Sequence, residues 1–126
     1  MKLKPRAARR LLLVGIAGIV FFAAAFSFIV VRKWQNQRRT EALRADGMVA
    51  FAQHDYPVTI DNLGRYLRRV SDDREAWLSF AVARENTEEP KAAHLQQAAS
   101  AYARAYALDE SDHATGMKLL ELQNLI

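Results

Sequence analysis

The sequence predicts an all-α protein: one N-terminal transmembrane helix, then an α-solenoid of about two and a half helical hairpins. Three observations carry that reading. Residues 11–31, LLLVGIAGIVFFAAAFSFIVV, are uncharged, with Ser27 the one polar side chain. The remainder repeats itself at near-constant offsets, the mark of stacked supersecondary units. The composition favours helix, with abundant Ala, Leu, Arg and Glu, five Gly and three Pro among 126 residues.

Charge divides the chain into parts. Residues 1–39 hold nine Lys/Arg and no acid, whereas residues 40–126 hold nine Lys/Arg and fourteen Asp/Glu, so pieces of +9 and −5 give the net +4. A basic chain of this kind invites a nucleic-acid reading, but the excess flanks the apolar run and the acidic remainder repels phosphate. No nucleic-acid partner is expected. The absence of cysteine excludes disulfides, thiolate metal sites and cysteine nucleophiles.

Residues 1–10 form a basic tail in which Lys2, Lys4, Arg6, Arg9 and Arg10 precede the apolar run. About twenty apolar residues cross the hydrocarbon core as a helix, because a spanning segment must satisfy its own backbone hydrogen bonds. Ala residues at 23–25 offer the small-x-small pattern of a cleaved signal, but the run continues through FSFIVV to a basic cluster, so it reads as an uncleaved anchor. Residues 32–39 supply that cluster: Arg32, Lys33, Arg38 and Arg39, with Trp34 at interface depth. The expected location is the cytoplasmic (inner) membrane, single-pass. A short acid-free basic N-terminus stays on the cytoplasmic side, which puts residues 40–126 outside, in the periplasm of a Gram-negative cell. Neither Pro nor Gly occurs between Val31 and Gly47, so the helix is expected to continue as a stem.

Residues 40–126 are the repeat domain. Leu43, Gly47 and Ala50 are matched thirty-four positions later by Trp77, Ala81 and Arg84. Thr59, Leu63, Tyr66 and Ser71 are matched thirty-nine positions later by Ala98, Tyr102, Ala105 and Glu110. The difference of five is an insertion in ENTEEPKAA. The units are 40–72, 73–111 and an incomplete 112–126. Hairpins are expected from 40–54 with 57–70 and from 73–85 with 91–108. Pro57 suits a first helical turn, Ser71 or Asp72 would cap the next helix, and DESDHA starts a third unit near Asp112. A lone hairpin cannot bury its apolar stripe, so it stacks on the next. Small residues at Gly47, Ala81, Ala98 and Ala105 admit close helix approach, and Leu63, Trp77 and Tyr102 fill the space.

In DGMVAFAQHDYPVTIDNLGRYLRRVSDDREAW and AASAYARAYALDE the chain resembles the tetratricopeptide repeat family. Gly47 stands at the small position of the first helix, Asp55 and Tyr56 at the turn, Trp77 at the tryptophan position, and Ala98, Tyr102 and Ala105 on the second helix. The resemblance covers 40–126. Ser71 and Glu110 stand where the family often has proline, and Thr59 and Tyr66 replace small residues. It implies a peptide groove lined by Arg44, Met48, Phe51, Leu78, Val82 and Glu85. The groups that clamp a C-terminal carboxylate in chaperone-binding members are missing apart from Arg44, so that ligand is disfavoured. An apolar groove with acidic rims suits an amphipathic helix or extended peptide with some positive charge.

His54, His94 and His113 lack metal-ligand spacing. Asp109, Glu110 and Asp112 lack the glycine and distal glutamate of a calcium loop, and read as capping acids. Neither a phosphate loop nor a nucleophile with a base in register is present. The expected function is a membrane-anchored scaffold with protein partners, a lipid contact through 11–31, and neither enzyme activity nor cofactor. The alternatives are the anchoring front of a longer enzyme and a structural accessory subunit of a membrane complex. HATGMKLLELQNLI is one amphipathic helix without a second behind it, so residues 112–126 are expected to receive either further repeats or a partner helix.

Overall fold

A computed structural model describes residues 5–126; the expectations for Lys2 and Lys4 lie outside the described residues. Among the described residues all regular structure is helical: α1 (Pro5–Ala52), α2 (Tyr56–Leu67), α3 (Arg74–Glu85), α4 (Ala93–Leu108) and α5 (His113–Leu125). A 3₁₀ turn at Pro90–Ala92 precedes α4. The chain divides into two compact units, the first ending at Arg38 and the second being Arg39–Ile126.

In the first unit every residue of 11–31 is exposed, so apolar side chains point outward around the whole helix. A rise of 1.5 Å per residue makes that stretch about 32 Å long, against a hydrocarbon core of about 30 Å. This part of α1 is long and apolar enough to cross a membrane. Arg9, Arg10, Arg32 and Lys33 are exposed. At Trp34 the guanidinium of Arg38 lies 3.6 Å from the ring centroid, a cation–π contact one helical turn along.

In the second unit the end of α1 buries Gly47 and Ala50. Asp55 caps α2, accepting from the Val58 N–H, and Pro57 occupies the first turn, where a missing donor costs nothing. The helix ends at Leu67, three residues before the expected end. There the N–H groups of Arg69 and Val70 both turn back to the Tyr66 carbonyl. Helix α3 is capped by Asp73, which accepts from the Ala76 N–H at 3.1 Å. The expected caps Ser71 and Asp72 are both exposed. Asp73 takes the place because tertiary partners also hold its carboxylate. Helix α4 begins at Ala93, two residues later than expected, because Lys91 and Ala92 adopt left-handed φ of 58° and 55°. Asp112 caps α5, accepting from Thr115.

Helices adjacent in sequence pack together: α2 on α3, α3 on α4, α4 on α5. One cluster joins Leu63, Tyr66, Leu67 and Ala76. The other joins Ala81, Ala98, Ala101, Tyr102 and Leu122. Trp77 and Phe80 of α3 pack against both, so α3 is the central element of this unit. Alanines at Ala81, Ala98 and Ala105, all 0 % exposed, let α3 and α4 approach closely.

Candidate functional site

The six residues implied to line a groove occupy two environments. Met48 packs against the α2–α3 cluster, and Leu78 and Val82 pack against the cluster of α3, α4 and α5. Phe51 is half-buried, its ring centroid 6.4 Å from that of Tyr56. The two charged members are engaged within the fold. Arg44 reaches Asp73 at 2.6 Å and Glu75 at 2.7 Å. Glu85 accepts from the Tyr102 hydroxyl at 3.0 Å and pairs with Lys118 at 2.7 Å.

These polar contacts form two small networks. At the start of α3, burial alone would raise the Asp73 carboxyl. The bonds from Arg44, from the Ala76 N–H and from the Tyr66 hydroxyl outweigh it and hold Asp73 below the usual carboxylate range. Burial pushes the Tyr66 phenol up, and donation to Asp73 adds to this. The same carboxylates raise the Arg44 guanidinium. On the other side of α3, burial raises Tyr102, reinforced by the charge of Glu85, and Glu85 in turn raises Lys118. A third link runs from Arg74, in the first turn of α3, to Asp112, the cap of α5.

A different face of α3 carries the recesses. Trp77, Phe80 and Arg84, at i, i+3 and i+7, share one stripe of the helix. One recess of about 440 Å³ lies between this stripe and α2, where Ile60, Gly64 and Arg68 form the wall. A second, of about 330 Å³, lies between the same stripe and α4, against Gln97, Ala101 and Arg104. The Trp77 ring is fixed by donation from Nε1 to the Ser71 carbonyl at 2.9 Å and by an edge-on contact with Phe80, centroids 6.1 Å apart. Arg84 lies 5.3 Å from the Phe80 centroid and pairs with Glu89 at 2.9 Å. The α2 wall owes its depth to Gly64, where a methyl group would meet Phe80 at 3.4 Å.

The residues expected to govern packing sit as follows. Leu63 is fully buried, and an added Cβ on Gly47 would come within 2.7 Å of it. Tyr102 is 5 % exposed, while Trp77 is half-buried and lines both recesses. The histidines are apart: His54 bonds the Tyr56 hydroxyl, His94 accepts from the Glu89 N–H, and His113 opens α5. Leu122, 1 % exposed, was not singled out by sequence reasoning, although it lies thirty-nine positions after buried Ala83, the same offset that relates the caps Asp73 and Asp112. The stripe of Trp77, Phe80 and Arg84 was missed as a lining because the implied groove lay on another face. No protein-family model, curated protein or solved structure matches this chain.

Proposed function

We propose that this protein is a single-pass scaffold of the cytoplasmic membrane. Its second unit is a tetratricopeptide-type solenoid of about two and a half hairpins that binds other proteins and performs no catalysis. The observation that carries the reading is the register of the second unit. Asp73 and Asp112 cap α3 and α5, the residue three positions after each is buried at the cap N–H, and Ala83 and Leu122 both point into the core. Such recurrence is what a stacked helical array requires. The outward apolar surface of 11–31 supports the anchor. Met117 and Leu120, 71 % and 62 % exposed on α5, give the array an apolar face for a partner helix. The acid-free basic N-terminus supports an extracytoplasmic repeat domain.

Three measurements test these statements. Alkaline carbonate should leave the full chain in the membrane pellet and release a variant lacking 11–31; release of both would refute the anchor. Ser111→Cys supplies a lone thiol in an exposed turn. A membrane-impermeant maleimide should label it in intact cells, and labelling only after lysis would reverse the orientation. Benzoylphenylalanine at Met117 or Leu120, irradiated in living cells, should give discrete adducts with another protein. Adducts with lipid alone would remove the scaffold reading.

A further inference from the structure

We propose that the groove made by the two recesses along the Trp77–Phe80–Arg84 stripe of α3 binds an acidic peptide segment with apolar anchor residues. This deepens the scaffold reading and rests on it. The first argument is shape. The recesses of about 440 and 330 Å³ share their floor and are walled by α2 on one side and α4 on the other. A floor of two rigid aromatic rings between helical walls is what an apolar anchor needs.

The second argument is charge. Residues 40–126 carry five more acids than bases, yet Asp61 is the one acid among the groove residues, and Arg65 pairs with it at 3.3 Å. Against it stand Arg68 on the α2 wall, Arg104 on the α4 wall and Arg84 on the floor. Five basic side chains of this unit pair with a carboxylate: Arg44, Arg65, Arg74, Arg84 and Lys118. The guanidinium groups of Arg68 and Arg104 make no ion pair or hydrogen bond among the described residues. In an acid-rich unit, two unpaired arginines on opposite walls of one aromatic groove select a partner that brings its own carboxylates. The surplus acid elsewhere disfavours a polyphosphate chain, whose charge runs well past three arginines. The polarity is opposite to that expected from the implied groove of Arg44, Leu78 and Glu85, whose rims are acidic.

The test uses the full chain in detergent micelles with Trp34→Phe, which leaves Trp77 as the sole indole. The probe is a synthetic peptide of glutamates with leucine and phenylalanine at helical spacing. Comparison probes are its lysine counterpart, a glutamate peptide without apolar residues, and oligothymidylate. The acidic apolar peptide should shift Trp77 emission and bind more weakly as salt rises. Arg68→Glu with Arg104→Glu should weaken it about tenfold or more and transfer preference to the lysine peptide. Gly64→Gln, which places a side chain over Phe80, should block both peptides while leaving the circular-dichroism melt of a folded protein. An unshifted Trp77, equal binding of the lysine peptide or oligothymidylate, or unchanged affinity in the charge-reversed protein would overturn the assignment. If peptide binding fails while Met117 and Leu120 still cross-link to a protein, the groove assignment alone falls. If cross-linking fails as well, the scaffold reading falls with it.

Discussion

Gly47 and Gly64 occupy helix interiors and look interchangeable in sequence, yet their surroundings give opposite expectations. A Cβ on Gly47 would lie 2.7 Å from both Cγ and Cδ2 of Leu63, a side chain with no exposed surface to retreat into. Alanine is worth about 1 kcal/mol in helix propensity, but overpacking costs about 1–3 kcal/mol. Gly47→Ala should therefore lower the thermal midpoint, and Leu63→Val in the same chain should recover part of the loss. On Gly64 the same methyl meets Phe80 at an ordinary 3.4 Å. Gly64→Ala should raise stability by about 0.5–1 kcal/mol, read as a higher midpoint in the same melt. The offset between repeats made Gly47 legible in the sequence as a close-approach position. That Gly64 opens a recess was not legible, because its role depends on where Phe80 points.

Among the elements, α3 depends most on one side chain. Asp73 caps it, accepts from Tyr66 at 2.9 Å and receives Arg44 at 2.6 Å. Asp73→Ala should cost about 1–2 kcal/mol for the cap alone, with Asp72→Ala near neutral as the control. Because the folded carboxyl titrates below its unfolded value, its contribution is complete above about pH 4. It is lost as pH falls through the depressed folded value. The midpoint should hold steady near neutrality and drop below about pH 4, and Asp73→Asn should flatten that drop. Tyr102 and Lys118 act at the other end: their folded values are raised, so what they contribute persists below about pH 10 and fades as pH climbs. The sequence announced a cap within SDD and placed it at Ser71 or Asp72, whereas Asp73 holds it. The choice is made by Arg44 and Tyr66, contacts between distant residues that local pattern cannot supply. The start of α4 was obscured for another reason: Lys91 and Ala92 adopt left-handed backbone without the glycine that usually marks it. Ala92→Gly should relieve that strain of about 1–2 kcal/mol, less the entropy a glycine adds to the unfolded chain, leaving a small gain in the midpoint.

At the scale of the whole molecule, two kinds of surface exist in one chain. Residues 11–31 expose apolar side chains in every direction, a surface unstable in water, while Arg39–Ile126 gathers its apolar residues into two shared clusters. Both were readable from composition and spacing, because a run of uniform hydropathy and a recurring period each survive small errors in boundary. The groove was not, since it arises where faces of α2, α3 and α4 leave room between them.

The arginine contacts to the helix caps also bear on how the chain is made. Arg44 bonds Asp73 across twenty-nine residues and Arg74 bonds Asp112 across thirty-eight, and each time the arginine is the earlier residue. A chain emerging from a ribosome therefore already holds the cation that fastens each next cap. Nothing downstream needs to be translated for α3 or α5 to close its first turn, so these helices can be added in the order of synthesis.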